Sequence, residues 1–194
     1  MKRIIFLLMV SIVGFSIIYS QDLNTKELSK KEKKAIEKRK REIVDSLEHK
    51  EAIAAMQKGY YVLMADRIMI KGRAYMSPTS NMNFILVQGD KAVIQLAANN
   101  GRSGLNGMGG ITVEGNVTGL KGGEADKKGE ITYSFGVTGP AVSAQVQITL
   151  YKDDNQAMAI VSPNFWSGTM TVYGKIVPYE GMDYEKAIKG TTIP

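Results

Sequence analysis

The chain has 194 residues, 44 % of them hydrophobic, with no cysteine, a single histidine and a formal net charge of +6. That length suits one ordinary domain with an extra segment. The missing cysteines exclude a disulfide framework, a thiol nucleophile, thiolate zinc sites and a lipid-anchored N-terminal cysteine. The charge is unevenly spread, at +2 in residues 1–20, +3 in 21–58 and +1 in 59–194. The basic character therefore lies in a leader and a helix, and no nucleic-acid partner is expected for the rest.

Residues 1–20 read MKRIIFLLMVSIVGFSIIYS, with Lys2 and Arg3 ahead of an apolar run and small Ser20 before Gln21. This is the pattern of a secretory signal, although Ile18 fits its position before the cut poorly. The run to Tyr19 is just short of a comfortable membrane span. The sequence thus predicts an exported protein, periplasmic or extracellular, with no stable membrane anchor after cleavage.

Residues 21–58 form a charged helical segment. Ser29 with Glu32 makes a capping-box pattern, and Glu37/Arg41 is an acid-first pair at i,i+4. Ile36, Ile43, Leu47 and Ala54 fall near one stripe that Val44 widens, so the second half is expected to dock on the rest of the protein through it. The first half has few apolar residues and reads as prone to fray. A membrane-surface helix would want aromatics and a larger apolar face. His49 lies about 200° from Leu47 around the helix, away from the stripe, and reads as a solvated side chain. Gly59 ends the segment in the usual way.

From Tyr60 the period becomes two. YYVLMAD and IMIKGRA read as two strands or one bent strand, and YMSPTSNM as a loop. NFILVQ and KAVIQLA flank Gly89-Asp90, a two-residue loop that fits a type II′ hairpin. The next stretch, NNGRSGLNGMGG, is a multi-turn loop with Gly104, Asn106, Gly107, Gly109 and Gly110 at a barrel rim. Its functional reading is an anion-cradling nest. Against that, it feeds the strand ITVEGNVTGL rather than a helix N-terminus, and no Gly-Lys-Ser/Thr follows. KGGEADKKG and KDDNQ read as turns. ITYSFGVT, VSAQVQITLY, AMAIVSP and FWSGTMTVYGKIVP are further strands, and 179–194 is a tail with little pattern.

Ile131, Tyr133, Phe135 and Val137 share one face, and Ala144, Val146, Ile148 and Leu150 do the same in the next strand. The opposite faces are small and polar, as in antiparallel sheets with one wetted side. About eight or nine strands with short connections predict a mainly β protein, an antiparallel up-and-down barrel or a sandwich over residues 59–178.

With these residues in place the chain resembles a family of small exported bacterial proteins, domain of unknown function 4251. The resemblance rests on NFILVQGDKAVIQLAANNGRSGLNGMGGITVEGNVTG and AMAIVSPNFWSGTMTVYGKIVP, with GLNGMGGITVEG its most specific part. It implies a lipocalin-like β-barrel preceded by one N-terminal helix, and no substrate, cofactor or catalytic residue.

Two functions follow as expectations. In the first, the barrel's apolar interior binds a small apolar or lipid-like ligand, with Met64, Phe135, Met158, Trp166 and Met170 as liners. In the second, the barrel is filled by its own side chains and touches an envelope protein. An accessible interior favours the first; a sealed interior, or an exposed apolar patch beside residues 36–56, favours the second. Enzyme function is not expected, because no nucleophile–base–orienter set and no metal-ligand cluster can be found. No cofactor is implied.

Overall fold

The computed structural model describes residues 29–70, 83–97, 111–165 and 168–179. The chain divides after Glu42 into two units. The described part of the first is helical and exposed throughout. Its start is the expected capping box: Glu32 Oε2 accepts the Ser29 N–H at 2.8 Å, and Ser29 Oγ accepts the Glu32 N–H at 3.3 Å. Those bonds hold the Glu32 carboxyl below the usual carboxylate range. The segment expected to fray is thus helix from Lys30, within α1 (Lys30–Lys58).

The second unit is a closed barrel in sequential order. Its strands are β1 (Tyr60–Ile70), β2 (Phe84–Gln88), β3 (Lys91–Leu96), β4 (Ile111–Ala125), β5 (Ile131–Thr138), β6 (Ser143–Leu150), β7 (Gln156–Pro163) and β8 (Met170–Pro178). Every neighbouring pair is antiparallel, and β1 pairs with β8 to close the ring. Closure follows from strand number and twist, because a strongly twisted sheet of this size curls and so removes its edges. The expected lipocalin-like up-and-down barrel is the fold, preceded among the described residues by one helix.

Three turns explain the register. Gly89 takes φ +63° while Asp90 stays at negative φ, as a type II′ hairpin requires. Asp126 Oδ1 accepts the N–H groups of Lys128 and Glu130, and Gly129 at φ +84° completes the β4–β5 turn. In the β6–β7 turn Asp154 Oδ1 accepts the Gln156 N–H at 2.9 Å. The Tyr60–Ile70 stretch is one bent strand, one of the two forms the sequence allows, with its register against β8 shifted between Ala65 and Arg67. One boundary differs from the sequence reading. The stretch KGGEA, expected to be a turn, continues β4 through two bulges against β5. Gly122 and Gly123, at φ +99° and +101°, let the backbone make that path, a conformation L side chains resist.

The two-residue alternation sorts the barrel's walls. Leu63, Ile85, Ile94, Val113, Val137, Ile148, Leu150, Val161 and Val172 belong to one inner cluster, each at 0 % exposure. Gln145, Gln147 and Lys175 point the other way. An apolar interior with a largely polar wall is the reverse of a membrane barrel. Among the described residues no helix is long and apolar enough to cross a membrane.

Candidate functional site

The interior is the first place a small barrel can work. Side chains at 0 % exposure have no water-sized gap beside them, and the rows just named line the wall from β1 to β8. Phe135 from β5 and Met170 from β8, two of the expected liners, lie in this cluster at 2 % exposure each. They are packed into the core. Tyr61 joins them, and burial, with Tyr133 nearby, keeps its hydroxyl protonated above the ordinary tyrosine range.

Met64 and Met158 stand elsewhere. Met158 pairs with Thr149 and Tyr173, between inward Ala157 and Ala159, so it points outward and is half-buried. Met64 pairs with Phe84 and Lys175 and packs on a second cluster made by Val62, Phe84, Leu86, Val93 and Tyr179 on the outer wall. Their outward placement has a simple cause. In YYVLMA and AMAIVS both parities are apolar, so size suggested the wrong side; the pleat put small Ala65, Ala157 and Ala159 inside. Trp166 and the loop residues Gly104, Asn106, Gly107, Gly109 and Gly110 lie outside the described residues.

One mouth of the barrel is covered by the last turns of α1. Ala52, Ala55 and Met56 join the inner cluster. The Gly59 carbonyl accepts the Gly89 N–H of the β2–β3 turn at 2.8 Å. At the far side His49 Nδ1 lies 2.6 Å from the Asp154 carbonyl of the β6–β7 turn. A carbonyl can only accept, so the proton sits on Nδ1. Glu48 meets Lys175 of β8 at 3.8 Å. In a ring of eight the β2–β3 and β6–β7 turns are opposite, and the ten residues between these anchors rise about 15 Å. The helix therefore crosses the mouth.

This reverses the expected docking face. The buried helix residues are Ala52, Ala55 and Met56, whereas Ile43, Val44 and Leu47 are 57 %, 49 % and 54 % exposed, and Ile36 in the first unit is 41 % exposed. Small alanines let a helix lie close on strand ends; branched side chains would hold it off. His49, expected in solvent, is the side chain that pins this face. The signal was available: the 49, 52, 56 spacing marks one helix face as well as 43, 47, 54 does. His49→Ala is predicted to remove about 1–2 kcal/mol, read as a lower urea midpoint, with faster amide exchange over residues 49–58. Unchanged exchange there would count against the anchoring role.

Open grooves on the outer surface include two formed by described residues. One, of about 550 Å³, runs between Glu51, Ala54 and Lys58 of α1 and Tyr60, Pro178 and Tyr179. The other, of about 590 Å³, lies between Lys91, Glu114, Asn116 and the turn at Gly139 and Pro140. Neither brings together acids or a nucleophile with a base. Among the described residues no group of three or more His, Asp or Glu could hold a metal ion.

The fold and these surfaces define a class: a helix-capped, eight-stranded antiparallel barrel with an apolar core. The chain belongs to the family described as domain of unknown function (DUF4251), whose sequence profile matches residues 44–176. It is also similar to the crystal structure of a DUF4251 family protein from Bacteroides eggerthii DSM 20697. The two are 36 % identical over 78 % of this chain and 99 % of that one, with a TM-score of 0.65. No curated protein matches.

Proposed function

We propose that this is an exported, non-catalytic envelope protein that works through its outer surface, its barrel being a solid scaffold. The observation that carries the reading is the set of inward side chains from β1 to β8 at 0 % exposure. A barrel that holds a ligand keeps room for it, whereas one of eight strands can also be filled by its own side chains. The exposed Ile43, Val44 and Leu47 support the surface role, since monomers seldom leave aliphatic side chains clustered in solvent without use. The N-terminal leader pattern supports export.

The test is native mass spectrometry of the protein purified from its own envelope, followed by solvent extraction. The reading expects the mass of the bare chain. A stoichiometric co-purifying small molecule would replace it with the second reading, a lipid-like ligand against the apolar inner wall around Phe135 and Met170.

A further inference from the structure

The groove between the end of α1 and the seam of β1 with β8 lies wholly within the second unit. Its volume of about 550 Å³ falls in the range of small-ligand sites. One wall is a single face of α1, with Glu51, Ala54, Ala55 and Lys58 at i, i+3, i+4 and i+7. The other wall is Tyr60, Pro178 and Tyr179. The Tyr179 N–H donates to the Tyr60 carbonyl at 3.1 Å, which ties these two together. Tyr60 is 45 % exposed, so an aromatic side chain faces water at the groove.

The two charged ends set this groove apart from ordinary surface. A helix offers ion-pair partners three and four residues away. For Glu51 those positions hold Leu47, Glu48, Ala54 and Ala55; for Lys58, the last residue of α1, they hold Ala54 and Ala55. Among the described residues neither Glu51 nor Lys58 forms an ion pair. The helix dipole accounts for Lys58 in the last turn, but gives Glu51 no such role. Seven residues of helix set the two charges about 10 Å apart. Between them Ala54 and Ala55 end at Cβ, and a longer side chain at either position would fill the groove.

A complementary occupant carries a cation and an anion about 10 Å apart on a slim chain, to match that helical rise. An extended tripeptide with free ends has these dimensions, at about 3.3–3.6 Å per residue. A fatty acid would use Lys58 and leave Glu51 without a partner. A nucleic acid would bring its phosphates against the Glu51 carboxylate.

We infer that this groove binds a short extended peptide by its free ends, the ammonium at Glu51 and the carboxylate at Lys58, with its small side chains against Ala54, Ala55 and Tyr60. This names the partner class of the surface-acting module proposed above and rests on that reading.

The test is titration of the chain from Gln21 onward, which contains every described residue and no leader, with trialanine, followed by amide chemical shifts. Saturable shifts are expected at Ala54, Ala55 and Tyr60. N-acetyl-trialanine and trialanine amide should each bind at least about threefold more weakly, the effect of losing one exposed charge pair. Glu51→Gln should abolish the discrimination against the acetylated peptide and keep that against the amide. Lys58→Gln should do the converse. Both side chains are exposed, and circular dichroism confirms that the variants fold. No shift at those amides, equal binding of the blocked peptides, or variants that keep both discriminations would each overturn the proposal. So would shifts with concentration alone, which assign the groove to a second copy, or a response only after removal of residues 180–194, which assigns it to the chain's own end. A lumenal ligand found by mass spectrometry would defeat the scaffold reading whatever the peptides do; an unresponsive groove with an empty lumen would defeat this proposal alone.

Discussion

Gly174→Ala is expected to destabilise the barrel by about 3 kcal/mol, near the top of the range for overpacking. Gly174 sits in β8 opposite Ala65 of β1 and Ala157 of β7, next to the register shift where the barrel closes. A Cβ there would land on the Met64 carbonyl oxygen, with Ala65 Cα 3.0 Å away. Both obstacles are backbone, so no rotamer change relieves them, and β1 has to move off β8. Gly119→Ala is the control. Its φ is +62°, but an added Cβ meets nothing within 4 Å, so only the left-handed backbone is penalised, by about 1–2 kcal/mol. Urea unfolding of both variants measures the difference. A Gly174→Ala midpoint at or above that of Gly119→Ala would show that the β1–β8 contact is looser than described.

Phe135→Ala is expected to cost about 3–5 kcal/mol, the usual range for a buried phenylalanine. Phe135 is the bulkiest fully buried side chain of the inner cluster. It faces Val146 across the β5–β6 ladder, beside the β4 bulge between Thr118 and Lys121. Because inward neighbours such as Val137 and Ile148 have no exposed surface, truncation leaves a void they cannot quickly fill. The void is apolar, so it stays dry and accepts a small apolar molecule. Benzene should therefore raise the thermal midpoint of the variant. A loss under about 1 kcal/mol, below the usual range for such truncations, would mean that the ring lines open space.

The fold was legible because most strands alternate cleanly. From Ile131 to Leu150 each inward residue is apolar, and one parity answers every question of register. Gly89-Asp90 and Ser29/Glu32 were legible for a local reason, as their chemistry is complete within a few residues. The misplacements share another cause. Met64 and Met158 sit in runs with apolar residues at both parities, where periodicity carries no sign. The helix face was misassigned because hydrophobic size was taken as the measure of burial, when strand ends accept a helix through Ala52 and Ala55. His49 could be placed against the Asp154 carbonyl only once the topology had set the β6–β7 turn opposite β2–β3. The extension of β4 to Ala125 depended on positive φ at Gly122 and Gly123, which a turn would have used equally well.

The central claim is that the barrel is already full. It is tested most directly by thermal unfolding of the unmodified protein and of Phe135→Ala, each with and without saturating benzene and, separately, a long-chain fatty acid. A molecule that binds the folded state raises its midpoint by mass action. The filled-barrel account predicts no shift for the unmodified protein with either compound, and a rise with benzene for Phe135→Ala alone. A rise of several degrees with benzene for the unmodified protein, as large as that of Phe135→Ala, would contradict it, because the truncation would then have opened no new space.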